Sequence, residues 1–247
     1  PYTTLFRSKN NSKNNKMNDF SKRTFIFYFV FGKNKVKNCN ILNTKSPIKR
    51  SNISISKDSS LSIGEKVLIR NSNINIDNGT LIISDNCSIM NANITVNNGT
   101  IIIGEYCRIM CNLWVRFGGK ISIGKYTNIN NNSELRSDES IIIGDFTQIS
   151  YNVSIWDTNT HYIYPSFKRR QLSKKIGIGN EIEKPLTKPI VIGSDCWIGK
   201  DCAIMKGSHI GNNVILGYNT TIINKTIEDN MIVVPKIELK YKQNSNI

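Results

Sequence analysis

The sequence predicts an all-β chain wound as a parallel β-solenoid, and three observations predict it. A twenty-residue repeat runs without a gap from Ser60: SLSIGEKVLIRNSNINIDNG, TLIISDNCSIMNANITVNNG, TIIIGEYCRIMCNLWVRFGG, KISIGKYTNINNNSELRSDE and SIIIGDFTQISYNVSIWDTN. From Ile192 to Ile227 the period shortens to six: IGSDCW, IGKDCA, IMKGSH, IGNNVI, LGYNTT and IINKTI. Aliphatic residues alternate with turn formers throughout, and no helical period appears.

The segment of residues 1–35 precedes the repeats. Residues 1–58 hold 13 Lys/Arg against 2 Asp/Glu, so +11 of the total +15 lies there and the body is nearly neutral. A basic arm can favour anionic membranes or nucleic acid. The preferred reading is a solvated tail of low complexity, with no nucleic-acid partner. The run TFIFYFVF (24–31) has eight residues, far short of the roughly 20 that span a bilayer. Its flanks Lys22, Arg23, Lys33 and Lys35 imitate a signal peptide, but no small-residue cleavage site follows. It reads as a short helix or strand closing the end of the main domain. Shallow membrane contact is the sharper alternative. Residues 1–16 read as lead-in, with Met17 as the natural start.

The main domain spans residues 36–233. Three hexads make one triangular coil of 18, and each twenty-residue block is that coil with two extra turn residues. Ile63, Ile83, Ile103, Ile123 and Ile143 form one inward column; Ile69, Ile89, Ile109, Ile129 and Ile149 form another. At about 4.8 Å per coil, the five long coils rise about 24 Å. Gly79, Gly99 and Gly119 close three blocks, where a turn is expected to need positive φ. The abundant Asn follows from the same turn chemistry. Counted in twenties, Arg116 and Arg136 fall in one column beneath Trp156, and Asp138 falls next to the column of Asp157.

The six cysteines contain no C-x-x-C. The spacing of Cys87 and Cys107, and of Cys196 and Cys202, matches the repeat periods. These thiols are expected to stack as small buried apolar groups in a reduced, cytoplasmic chain, with no metal site. The repeat breaks at 162–190, YIYPSFKRRQLSKKIGIGNEIEKPLTKPI, and a loop of that length in a solenoid is usually functional. It is expected to fold over a cleft. Its Lys168, Arg169, Arg170, Lys174 and Lys175, with Tyr162, Tyr164 and Phe167, suit an anionic glycan or the phosphates of a nucleotide. A plain solvated loop is the alternative. Residues 234–247 form a C-terminal tail.

The stretch KPIVIGSDCWIGKDCAIMKGSHIGNNVILGYNTTIINKTI (188–227) resembles the hexapeptide-repeat, left-handed β-helix acyltransferases. Trp197-Ile198-Gly199 and Lys206-Gly207 resemble the branch of sugar, maltose and galactoside acetyltransferases and capsular O-acetyltransferases. The resemblance covers about residues 60–235. It implies a left-handed coil, acetyl-CoA as donor, a homotrimer with active sites between subunits, and a histidine general base nine residues after an Asn-Val pair. Here Asn152-Val153 is followed by His161. A neutral imidazole can take a hydroxyl proton as the oxygen attacks a thioester, and no metal is needed. His209, the other histidine, lies in a regular hexad and reads as a surface or turn residue.

The same resemblance places acceptor contacts at Asn130 and Asp138, with Trp156 and Asp157 beside them. Asp157 either orients the imidazole or binds acceptor, and spacing does not choose. For the donor it points to Trp197 near the thioester, to Gly199, Ala203 and Gly217 along the pantetheine arm, and to Lys236. The chain departs from the family in its closing run, MIVVPKIELKYK, which keeps Pro235 and Lys236 but lacks the usual Gly-Asn. The expected function is therefore acetyl-CoA-dependent O-acetylation of a sugar or cell-surface polysaccharide. N-acylation of an amino sugar and a non-catalytic structural or binding solenoid are the alternatives. A solenoid carbonic anhydrase, which needs three zinc-binding histidines, is nearly excluded by a chain with two.

Overall fold

The computed structural model describes residues 35–37, 41–42, 46–176 and 183–243, the first two segments by backbone alone. The apolar run 24–31, with its expected helix or strand, lies outside the described residues. What is described is a left-handed parallel β-helix. Every strand pairs parallel with the strand one coil above or below it.

Three faces follow from the repeat. The first stacks Ser60–Ile63, the second halves of Asn73–Ile83 and Asn93–Ile103, then Gly119–Ile123, Ser140–Ile143, Ile190–Ile192, His209–Ile210 and Thr226–Ile227. The second runs from Ile48–Lys49 through Asn128–Ile129, Gln148–Ile149 and Trp197–Ile198 to Ile232–Val233. The third carries Asn52–Ile55, Asn112–Val115, Glu134–Ser137, Ser154–Trp156, Ala203–Met205 and Thr221–Ile223. Strand periodicity of two puts alternate side chains inside. In Asn73–Ile83, Ile74, Ile76, Leu81 and Ile83 point inward while Asn73 and Asn75 point out. The two predicted isoleucine columns are buried along their whole length. Each such side chain contributes about 1.5–3 kcal/mol by leaving water.

The corners hold the polar logic. Eleven of the twenty non-glycine residues with positive φ among those described are Asn, because its short amide tolerates the left-handed region. Stacked amides link coils, as from Asn71 to Asn91 at 3.2 Å and Asn213 to Asn230 at 2.9 Å. Cys87, Cys107, Cys111, Cys196 and Cys202 are free and buried as expected. They are more than apolar filler, however. Cys87 and Cys107 share a corner column with Thr127, Thr147 and Cys196, and each donates to a carbonyl one coil on. Thiol and hydroxyl interchange there as small donors.

Four expectations change. Gly79, Gly99 and Gly119 do not have positive φ; Asn78 and Asn98 do. The glycines are needed for room, since a Cβ on Gly99 would lie 2.3 Å from Val115 Cγ1 and 2.5 Å from the Gly119 carbonyl. The outer column is Trp114, Arg136, Trp156, not Arg116, Arg136, Trp156. The step on this face is 19 residues from Asn93 to Asn112 and 22 from Asn112 to Glu134, so counting in twenties slips. The excursion departs after Trp156 and rejoins at Ile190. It is not wholly a loop, because Ser166–Ile176 is an α-helix. Lys, Arg, Gln and Leu favour a helix. Pro165 precedes it and accepts the first turn's bond from Arg169 N–H at 3.0 Å, and Lys174 and Lys175 complement the dipole at its end. Among the described residues, no helix is long and apolar enough to cross a membrane.

Candidate active site

The excursion is anchored before it leaves the solenoid. Asp157 follows the strand Ser154–Trp156 and turns inward, fully buried. Its carboxylate accepts from the Ser137 hydroxyl at 2.7 Å, Asp138 N–H at 2.8 Å and Glu139 N–H at 3.0 Å. Burial pushes its carboxyl up from the ordinary range, and these donors pull the other way. The outgoing and returning chains form an antiparallel bridge between Thr158 and Thr187. Asn159 N–H donates to the Leu186 carbonyl at 3.0 Å, and Lys188 N–H to that of Asp157 at 2.9 Å. Thr187 also donates to the Glu139 carboxylate.

A second buried carboxylate lies beside the first. Arg116 grips Asp138 through two parallel bonds, Nε to Oδ1 at 2.9 Å and Nη2 to Oδ2 at 2.8 Å. Thr158 donates its hydroxyl to Asp138 Oδ2 at 2.7 Å. Arg116 Nη2 reaches on to the Thr160 carbonyl at 3.1 Å, and Thr160 N–H donates to Thr158 Oγ1 at 3.0 Å. His161 follows directly and is exposed to solvent. An exposed imidazole thus stands on a base tied to three successive coils.

The structure gathers Asp138 and Asp157 at this base and lays Trp156 on the outer third face. Both carboxylates are engaged within the protein. Trp156 Nε1–H is buried without a hydrogen-bond acceptor, and its ring faces the Arg136 guanidinium, 5.8 Å from Cζ to centroid. Asn130 lies at the corner after the second face and donates from Nδ2 to the Ile149 carbonyl at 3.1 Å. Trp197 stands on the second face between Gln148 and Ile215, 57 % exposed. Gly199 and Gly217 stack directly above Asn130 and Ser150. A Cβ on Gly199 would lie 2.7 Å from the Leu216 carbonyl, so coil stacking alone accounts for glycine there. Ala203 is on the third face, between Ser154 and Thr221. Lys236 follows the last coil, exposed and paired with Glu238 at 3.1 Å. His161 stands in the excursion that leaves the third face, and Trp197 stands on the second face. His209 points outward from its strand, between Val191 and Thr226.

Sequence reasoning missed Arg116 as the partner of Asp138, because their separation of 22 residues hides the contact. It also missed a ladder at the corner between the first and second faces. Tyr106, Tyr126 and Phe146 stack there at 4.7 and 4.9 Å between centroids, all with positive φ. Their spacing of twenty residues was the available signal. Among the described residues no group of three or more metal-binding side chains gathers.

The pattern of the bacterial transferase hexapeptide family (six repeats) matches residues 189–224. No curated protein sequence matches the chain. Among solved structures, the polySia-specific acetyltransferase NeuO aligns over 87 % of this chain and 84 % of its own, at 18 % identity and a TM-score of 0.51. At that identity the likeness is one of fold. The polysialic acid O-acetyltransferase OatWY aligns over 87 % and 90 %, at 23 % identity and a TM-score of 0.48. A hexapeptide-repeat acetyltransferase of Vibrio cholerae O1 biovar eltor, solved with acetyl-CoA, aligns over 54 % and 65 %, at 25 % identity and 0.40.

Proposed function

We propose that this chain, a member of the hexapeptide-repeat, left-handed β-helix family, is an acetyl-CoA-dependent O-acetyltransferase for a sugar or cell-surface polysaccharide, with His161 as general base. The observation that carries the reading is the place of His161. It is solvent-facing, yet it follows a backbone held by buried side chains from three coils. Acid–base chemistry on a diffusing acceptor needs that combination of access and fixed position.

The chemistry follows from the imidazole. In its neutral form one ring nitrogen accepts the proton of the acceptor hydroxyl. The oxygen attacks the thioester carbonyl carbon, and a tetrahedral oxyanion forms. Collapse re-forms the carbonyl, breaks the C–S bond and releases CoA, whose sulfur takes the proton from the imidazolium. No redox partner is required. Trp197, more than half exposed on the second face, offers an aromatic surface for the donor. His161 follows the third face and Trp197 stands on the second, and the site is read as shared between subunits of the homotrimer that the resemblance implies. The helix Ser166–Ile176 has five bases and no acid, which suits an anionic glycan. The fold is shared with an acetyltransferase named as polySia-specific.

The test is transfer from acetyl-CoA by wild type and His161→Ala, followed as released thiol, over hydroxylated glycans and amino sugars. Loss of at least about a hundredfold in kcat, with the variant folded, is expected for a general base. Near-normal turnover of the variant would overturn the role of His161. A preference for amines over hydroxyls would move the acceptor to the amino sugars.

A further inference from the structure

We infer that Arg116, Asp138 and Thr158 are positioning residues that set the backbone from which His161 acts. The inference rests on the reading of His161 as general base and assigns its support to three side chains outside the reacting groups.

Thr160 carries the argument. It is β-branched and has φ +66, a conformation that costs free energy and persists only where its surroundings impose it. Both of its main-chain polar groups are held by side chains. Its N–H donates to Thr158 Oγ1 and its carbonyl accepts from Arg116 Nη2. That carbonyl belongs to the peptide unit that carries the His161 nitrogen, so fixing it fixes the plane from which the imidazole departs. Asp138 joins the two holders, accepting from both Arg116 and Thr158 on Oδ2.

The burial of this set argues against a role in stability alone. Arg116 is 9 % exposed, Asp138 0 % and Thr158 4 %. A buried ion pair recovers little more than its own desolvation cost, and an apolar replacement is often as stable. Other corners of the solenoid are closed by Asn amides, by small thiol and hydroxyl donors and by stacked rings. What the pair provides here is direction: a bidentate guanidinium has one geometry against a carboxylate, and its spare N–H points at the Thr160 carbonyl.

The chain has two histidines, so its imidazole NMR spectrum holds two side chains, and His209→Ala assigns them. Thr158→Val keeps the shape and removes both hydroxyl bonds; Thr158→Ser keeps the hydroxyl. Arg116→Lys keeps the charge but loses the fork, and serves as the second variant if Thr158→Val does not fold. In folded Thr158→Val we expect the His161 resonances to shift or broaden while those of His209 stay. We expect kcat to fall about 10- to 100-fold, the scale of a catalytic group displaced by about 1 Å, with the acetyl-CoA KM within about twofold. Thr158→Ser should restore both. If the His161 resonances keep their wild-type positions in the folded Thr158→Val and Arg116→Lys variants, the inference is overturned, whatever the turnover. Wild-type-like activity in His161→Ala would instead sink the general-base reading, and the spectra would still decide the positioning claim.

Discussion

Arg136 lies over the indole of Trp114, its guanidinium carbon 3.8 Å from the ring centroid, and Trp156 covers it from the coil beyond at 5.8 Å. A second guanidinium, that of Arg116, reaches the same Trp114 ring at 5.1 Å. The planar, weakly hydrated guanidinium suits a stacked position that a compact ammonium does not. Arg136→Lys is therefore expected to lower stability by about 1 kcal/mol. Urea unfolding checks it, and an unchanged midpoint would mean that the stack contributes nothing.

Gly99 allows a close approach rather than a special φ. A methyl group there would meet Val115 Cγ1 at 2.3 Å and the Gly119 carbonyl at 2.5 Å. The second contact is with backbone, which cannot swing aside. Gly99→Ala is expected to destabilise by about 1–3 kcal/mol, the usual cost of overpacking. Asn98→Gly, at φ +54, should cost far less, because glycine adopts that φ freely. Thermal unfolding of the two variants side by side tests the distinction. A Gly99→Ala variant as stable as wild type would mean that the neighbouring coil yields and that close approach does not require glycine there.

Asp157 gives a pH dependence with a definite sign. Burial raises its carboxyl above the ordinary value, so the folded chain holds that proton more tightly than the unfolded chain. Its contribution to stability is then greatest below the ordinary carboxyl range and falls as pH rises through the raised folded value. Asp157→Asn does not titrate. The stability of wild type relative to Asp157→Asn should therefore be higher at pH 4 than at pH 8. Urea unfolding at both pH values measures it, and the opposite trend would mean that the three donors outweigh desolvation.

The solenoid and its inward columns were legible because the repeat is a direct record of stacking. A column such as Ile103, Ile123, Ile143 recurs in the chain because each coil must present the same side chain to the same interior. His161 was legible for a related reason: it stands where periodicity stops. The helix Ser166–Ile176 escaped notice because its residues have high helix propensity but no apolar stripe, and most of it is exposed.

By itself, then, the sequence determined the all-β solenoid, the two coil lengths, the buried aliphatic columns and the histidine at the break. The tertiary structure alone decided which outward residues meet. The length of a coil is a total, while register on each face depends on how turn residues are divided among three corners. One corner shortens where another lengthens, so Arg116 leaves the column of Arg136 and pairs with Asp138. A period of twenty survives that exchange unchanged, and so cannot report it. Side-chain hydrogen bonds across coils then fix what the period leaves open, as at Thr160, whose carbonyl is held by a guanidinium 44 residues away.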